Sequence, residues 1–465
     1  MIDSLSIQHP DLMTLEEVTI QGLFGQFDYG IPLDTEHRVT LICGLNGSGK
    51  TTILRLLEAL ARTDWVYLQK IPFQNLQLRF KEGTLDVVQN NVDDERRSLS
   101  LAWTTGRTRI AIEIEPMLRG LMSDALSGDL IAIRHLGTRR IAYEQFKALR
   151  LLRAKETKSG REWFEEGFDL WTQDGLNMAS LVLEIMGESG GGRGANERIS
   201  SLLKVLASIP CRLLPATRLR EQGGAKDRVL VCSEDLKGQL AKVKDRFTRD
   251  SQSLDYAFPK KLLEWARSRR IRTRTDRSVS EARVQVERRY RELVEAGLLQ
   301  KEQAVVFTES EVKEMEETLG PVFAAHYDNL EQKLGVFGDI YREVSLLIRT
   351  VKEFYGETMT VKADYESGLV VTPKNASKPL PVTVMSSGQQ HILILAYHLI
   401  FEAAPEQLVM IDEPELSLHS AWQDILVERL RDIGKKKNLH FLLATHSSLI
   451  YESAKESAVE LPGFR

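Results

Sequence analysis

Eight residues, Gly44-Leu45-Asn46-Gly47-Ser48-Gly49-Lys50-Thr51, constrain this chain more than any other stretch. They follow a compact apolar run, Val39–Cys43, and precede a segment in which Ile53, Leu54, Leu57 and Leu60 fall on one helical stripe. The reading is therefore strand, glycine-rich loop, helix, and the loop fits the pattern G-x-x-x-x-G-K-[ST]. Its glycines let the backbone curl so that successive N–H groups point inward as an anion nest. The following helix adds its positive end to Gly44, Asn46, Gly47, Ser48 and Gly49. Lys50 brings a charge for the β- and γ-phosphates, and Thr51, followed by Thr52, brings a hydroxyl suited to Mg²⁺. A chance glycine turn lacks that context. Gly190–Gly194, without the Lys-Ser/Thr ending, reads as a plain loop.

A second apolar run, Leu408–Ile411, ends on Asp412 and Glu413. Strands that end in solvated acids are common, so the pair alone says little. Beside a phosphate loop it says more, because open α/β sheets hold ligands at the carboxyl edge of their strands. There Asp412 would support a magnesium shell, and Glu413 would accept a proton from an attacking water.

The rest of the pattern is α/β at both ends and helical between. Residues 13–43 read as strands and 75–114 as a strand meander with turns at Glu82-Gly83 and Gly106. Residues 116–205 and 233–355 read as mainly helical, with a short strand at Cys211–Leu214 and a hairpin over Met359–Val371. Helix is expected from about Gln389 to Glu402 and from Ser420 to Ile433 with Gly434 as its stop, and strand over Leu439–Ala444. The chain has 465 residues, more than one ordinary domain. Its 42% hydrophobic and 28% charged content fits a folded soluble protein. A net charge of −4 neither demands nor forbids a nucleic-acid partner. Three scattered cysteines, Cys43, Cys211 and Cys232, fit no metal motif and suit a reducing compartment. The start of the chain has no basic-then-apolar leader, and its longest apolar run, Ile392–Phe401, is broken by His398. A cytoplasmic protein without a membrane span is expected.

Met385-Ser386-Ser387-Gly388-Gln389-Gln390 resembles the signature loop of ABC-type ATPases, usually Leu-Ser-Gly-Gly-Gln, and Thr445-His446-Ser447 resembles their histidine switch. Phosphate loop, signature, carboxylate pair and histidine stand in the family's order. The resemblance covers roughly the first 115 and last 85 residues. It implies an α/β P-loop ABC-ATPase head with an antiparallel β subdomain and a large helical insertion. The lobes would be 1–115, 116–355 and 356–465. It further implies ATP and Mg²⁺ held between two copies of the chain. One copy would supply Gly44–Thr51, Asp412 and Glu413; the other would supply Ser386, Ser387, Gly388 and Gln389. Catalysis would rest on Lys50, Glu413 and His446. Gln69 and Gln74 are both candidates for the family's glutamine loop. Phe24, Phe27 and Tyr29 read as ordinary strand aromatics rather than adenine platforms.

The loop Pro414-Glu415-Leu416-Ser417-Leu418-His419 departs from the transporter branch, which carries aspartate where His419 stands. That spelling is similar to the soluble branch, which holds the RecF-like, overcoming-lysogeny-like and coiled-coil repair ATPases. The 335 residues between Lys50 and Ser386 point the same way. Without sustained heptads they predict a compact lobe rather than a rod. The layout, with Ser251-Gln252-Ser253-Leu254-Asp255 ahead of Phe258-Pro259, is similar to the ATPase subunits of PARIS-type anti-phage defence and less closely to Septu-type or retron-associated ones. It implies a conformational switch that holds and releases a separate nuclease or toxin effector.

The alternative is a DNA-repair or recombination head. Residues 260–292 hold twelve Lys or Arg against five acids, enough to grip DNA or an acidic protein, or simply to form a solvated helical face. A non-hydrolysing scaffold is a third reading, opposed by the intact Glu413. His391 and His398, seven apart, lack the companions of a metal site. Arg218 reads as a structural ion-pair partner. A nuclease fused beyond His446 would need more than the nineteen residues found there.

Overall fold

The computed structural model describes residues 13–91, 97–114, 201–202, 204–214, 228–268, 278–300, 308–376 and 378–462. The helical expectation for most of 116–205, the Gly190–Gly194 loop, Arg218 and the arginines at 269–277 lie outside the described residues. The chain divides into two compact units. The first holds the described residues within Met1–Ala216, Ala404–Leu416 and Leu426–Arg465; the second holds those within Thr217–Ala403 and Ser417–Ile425.

Two sheets make the first unit. In one, β1 (Leu15–Leu23) and β2 (Phe27–Pro32) join a meander of β4 (Asn75–Phe80), β5 (Thr84–Asn91), β6 (Arg97–Thr105) and β7 (Thr108–Ile114). The order is β2-β1-β4-β5-β6-β7, and every pairing is antiparallel. The other sheet is parallel, in the order β14-β3-β13-β12-β8. It is made of β3 (Val39–Cys43), β8 (Cys211–Leu214), β12 (Leu408–Asp412), β13 (His440–Thr445) and β14 (Ala458–Glu460). All five residues of β3 and all five of β12 are buried, as strands covered on both faces must be.

Helix α1 (Lys50–Ala61) turns Ile53, Leu54, Leu56, Leu57 and Leu60 into a core shared with both sheets. Each fully buried leucine contributes about 1.5–3 kcal/mol. Truncating Leu57 to alanine would cost about 2–5 kcal/mol. Helix α2 (Trp65–Lys70) follows, capped by the Asp64 carboxylate, which accepts from Tyr67 N at 3.0 Å.

The second unit contains α3 (Arg228–Ser268), α4 (Val279–Glu295), α5 (Glu309–Gly335) and α6 (Gly338–Tyr355). Reciprocal capping boxes at Ser278/Glu281 and Thr308/Glu311 start α4 and α5. The expected hairpin is β9 (Met359–Asp364) with β10 (Gly368–Pro373), and short β11 (Leu380–Pro381) extends it. α7 (Ser387–Tyr397) ends in a wider π turn over His398–Glu402. Residues 251–259 lie within α3.

One helix end differs from expectation. α8 (Ser420–Lys437) runs through Gly434, and the chain turns instead at Asn438, whose φ is +55°. Gly434 is there for space. A Cβ would meet Leu439 O at 2.9 Å and the Phe441 ring at 3.1 Å, so the glycine lets the helix press onto the edge of β13.

Part of the basic stretch is engaged locally where it is described. Arg283 pairs with Glu287 at 3.2 Å, Arg288 with Glu292 at 3.3 Å, and Arg289 lies 4.1 Å over the Tyr341 ring. These contacts fit a solvated helical face. Among the described residues no helix is long and apolar enough to cross a membrane.

Candidate functional site

Strand order creates the site. Because β3, β13 and β12 are parallel neighbours, the loops that leave their carboxyl ends lie along one edge. Gly44–Gly49 leaves β3, Thr445-His446-Ser447 leaves β13, and Asp412-Glu413 leaves β12.

The phosphate loop takes its shape from its glycines. Gly47 and Gly49 sit at φ +86° and +84°, in the left-handed region that costs other residues about 1–2 kcal/mol. Gly49 is also the residue from which α1 starts. Tyr29 is a buried strut, and its hydroxyl donates to Ser48 O at 2.7 Å while its ring stacks on Phe27 at 5.8 Å. That placement fits its reading as a strand aromatic. Phe24, by contrast, is 38% exposed at the β1–β2 turn, against the position a Cβ on Gly49 would take.

Lys50 is 5% exposed, and its Nζ donates to Gly44 O at 2.8 Å and Leu45 O at 3.1 Å. Burial pulls its pKa down, opposed by the nearby Glu413 and Asp412 charges. Ser48 Oγ is buried with no hydrogen-bond partner among the described residues. A buried orphan hydroxyl beside a buried ammonium, inside a curl of backbone N–H groups, suits an anion.

Thr51 Oγ1 donates to Asp412 Oδ1 at 3.1 Å, joining residues 361 apart in sequence. Burial raises the Asp412 pKa, against the lowering influence of that hydrogen bond, Arg55 and Lys50. A hydroxyl and a carboxylate at this spacing fit Mg²⁺, which takes one or two protein oxygens and completes its octahedron with phosphate and water.

Glu413 adopts φ +48° and is anchored by its N–H, which donates to Ala444 O at 2.8 Å. A non-glycine residue in this region stores strain on the order of 1–3 kcal/mol, which the surrounding structure must hold in place. Its Oε1 lies 3.7 Å from His446 Nε2, and both side chains are about one-third exposed, at 35% and 33%. Glu415, which the sequence reading treated only as part of the loop's spelling, enters here. Its Oε1 accepts from His446 N at 2.8 Å and from Ser447 N at 3.2 Å.

The signature loop belongs to the second unit. Ser386 is the N-cap of α7 and forms a capping box with Gln389. Ser386 Oγ accepts from Gln389 N at 3.3 Å, and Ser386 N donates to Gln389 Oε1 at 2.9 Å. Ser387 occupies the first helical position, where serine is harmless. Gly388 is fixed by crowding, since a Cβ would lie 2.7 Å from Ser417 O. Tyr355 Oη donates to Gln389 O at 2.7 Å. His419 precedes α8, and its Nδ1 accepts from Ala421 N at 3.3 Å, an N-capping task that an aspartate also performs. Of the glutamine candidates, Gln69 is buried in α2, whereas Gln74 is exposed and its side chain covers Gly22 near the end of β1.

Similar solved structures are SMC heads. The Smc head domain with an extended coiled coil bound to the C-terminal domain of ScpA, from Pyrococcus furiosus, is 14% identical at a TM-score of 0.36, over 95% of this chain and 92% of that one. An SmcHead bound to the C-winged helix domain of ScpA is 11% identical at 0.34, and the SMC head domain from Thermotoga maritima is 11% identical at 0.30, each over the same shares. At these scores the likeness carries no weight. No curated protein matches.

The fold stands on the chain's own geometry and on a family match. A phosphate loop meets a carboxylate pair at one edge of a parallel sheet, in a unit that also holds an antiparallel sheet: an α/β P-loop ATPase head of the ABC type. The family model described as "AAA domain, putative AbiEii toxin, Type IV TA system" matches residues 207–452, which contain the signature, the carboxylate pair and the histidine. That span is just over half of the chain, and the chain belongs to this family of ATP-binding ATPase domains.

Proposed function

We propose that this chain hydrolyses ATP with Mg²⁺ and uses the cycle as a conformational switch. The observation that carries the reading is the bond between Thr51 and Asp412, which ties the phosphate loop to the carboxylate pair with Glu413 and His446 beside it. Gly44, Asn46, Gly47, Ser48, Gly49, Lys50, Thr51 and Thr52 would hold the triphosphate, with Lys50 on its outer oxygens. Thr51 and Asp412 would hold Mg²⁺, whose charge neutralises phosphate oxygens when bound. Glu413 would orient the attacking water and accept its proton, and His446 would sense the terminal phosphate. Gln74 would serve as the glutamine of the adjoining loop.

Ser386, Ser387, Gly388 and Gln389 would close the nucleotide from a second copy of the chain. Their presentation at a helix start supports this, because the capping bonds leave the Ser386 hydroxyl proton unused. The output of such a dimer is its closing and opening.

The finer reading is the ATPase subunit of a prokaryotic anti-phage complex that holds and releases a separate nuclease or toxin. It rests on the chain's layout and on a family description that names a toxin and a Type IV TA system. The recombination alternative rests on the basic stretch, of which Arg283, Arg288 and Arg289 are engaged in local pairs.

The test is ATP turnover by purified protein, with Lys50→Ala as the blank and with and without duplex DNA. Phosphate release that needs Lys50 and Mg²⁺ supports hydrolysis. Release equal in both proteins rejects it, and strong stimulation by DNA moves the assignment to the recombination reading.

A further inference from the structure

We infer that Glu415 is a positioning residue for the histidine switch, a role that rests on the ATPase reading above. Glu413-Pro414-Glu415-Leu416 forms a tight turn closed by Leu416 N donating to Glu413 O at 3.1 Å. Pro414 takes the second position, which its fixed φ favours. The turn sends the Glu415 side chain back toward the end of β13. There a single carboxylate oxygen accepts two consecutive backbone donors, His446 N at 2.8 Å and Ser447 N at 3.2 Å.

These bonds are the second of two stitches between the loops. The first is Glu413 N to Ala444 O at 2.8 Å. Together they bracket His446. One fixes the backbone two residues before it, and the other fixes its own N–H and the next. Ser447 is held further, since its N–H also meets Thr445 Oγ1 at 3.0 Å and its Oγ accepts from Ile450 N at 3.2 Å as the N-cap of α9 (Ser448–Ser453). The imidazole, 3.7 Å from Glu413, is therefore aimed by a backbone that Glu415 holds.

The bonds are charge-assisted and local, the kind that set an orientation. They are not an economical way to stabilise a fold. Glu415 Oε2 is buried with no hydrogen-bond partner among the described residues, an arrangement that costs stability. A half-buried carboxylate kept at that cost beside Lys50 and Asp412 serves the site. It acts through His446, because both of its bonds end on the histidine loop.

The experiment is a double-mutant cycle in the full chain. It compares wild type, Glu415→Ala, His446→Ala and the pair by ATP turnover, with Glu415→Gln as the conservative variant. Amide hydrogen exchange of residues 445–448 is followed in parallel. Glu415→Ala is expected to lower kcat about 10–100-fold, the usual loss for an orienting residue, with KM for ATP within about twofold. Glu415→Gln keeps an acceptor oxygen and is expected to recover most of kcat. The double variant is expected to turn over no more slowly than His446→Ala. The exchange of His446 and Ser447 amides is expected to quicken in Glu415→Ala and in the double variant, and not in His446→Ala or Glu415→Gln.

A Glu415→Ala loss that is undiminished in the His446→Ala background would overturn the inference, because Glu415 would then act independently. So would Glu415→Gln as slow as Glu415→Ala, which would assign its charge and not its bonds. Wild-type protein that releases no phosphate would reject the ATPase reading. Exchange would then decide the tether by itself, and unchanged protection in Glu415→Ala would remove that too.

Discussion

In the first unit each group of the candidate site is tied to another group of the site: Thr51 to Asp412, Lys50 to the carbonyls of its own loop, the His446 backbone to Glu415. In the second unit the signature loop is tied to its own helix and to scaffold: Ser386 to Gln389, Gln389 O to Tyr355, Gly388 against Ser417 O. The first arrangement suits an anion, with a buried ammonium and an orphan hydroxyl in one loop. The second is a loop whose bonds stay within its own unit and leave the Ser386 hydroxyl proton unused. Nucleotide affinity should therefore reside in the first unit and turnover should need both.

The largest effect that could break this contrast is Lys50→Ala. Removing the buried charge should abolish measurable ATP binding by calorimetry. Micromolar affinity in that variant would mean that the nucleotide site lies elsewhere. Next is Glu413→Gln, which keeps the shape and removes the base. ATP binding should persist while phosphate release falls about 10²–10⁴-fold, the contribution of a general base. Normal turnover would take Glu413 out of the mechanism.

The signature side sharpens the contrast with smaller numbers. Gly388→Ala places a methyl 2.7 Å from a backbone carbonyl and should destabilise the protein by about 1–3 kcal/mol in a denaturant melt. Ser386→Ala loses an N-cap at about 1 kcal/mol. Both should slow turnover and leave ATP affinity within about twofold. A variant of either kind that bound ATP poorly would place nucleotide binding in both units and end the distinction.

Much of the first unit was legible because its signals are short and local. An apolar strand, a glycine loop and an amphipathic helix mark Gly44–Thr51, and beside that loop a buried strand that ends in two acids marks Asp412 and Glu413 as candidates. What was not legible depended on neighbours distant in sequence. Gly434 carries the mark of a helix stop, yet its task is to clear Leu439 O and Phe441, which only the packed sheet reveals. Tyr29 offers a ring, and only the fold shows its hydroxyl held on Ser48 O. Glu415 had one faint signal, a third acid within four residues, and its partners lie 31 and 32 positions away. Gln69 and Gln74 likewise differ in burial, which no spacing encodes.

The smallest expected effect concerns pH. Burial holds the Asp412 pKa above its ordinary value, so the folded protein binds a proton there that the unfolded chain has already released. Stability should therefore decline as pH rises through the window between the ordinary carboxylate pKa and the raised one. The loss is complete above that window. Asp412→Asn removes the ionisation, so it should melt higher than wild type at neutral pH and lose the slope. Magnesium reverses the sign for the wild type only, because the ion needs the ionised carboxylate and offsets its desolvation. Stabilisation by Mg²⁺ with ATP should therefore grow with pH over the same window in wild type and stay flat in Asp412→Asn. If Mg²⁺ stabilised both proteins equally, the ion would be held by other oxygens, and the Thr51–Asp412 bond would be a stitch in the fold like the one between Glu413 and Ala444.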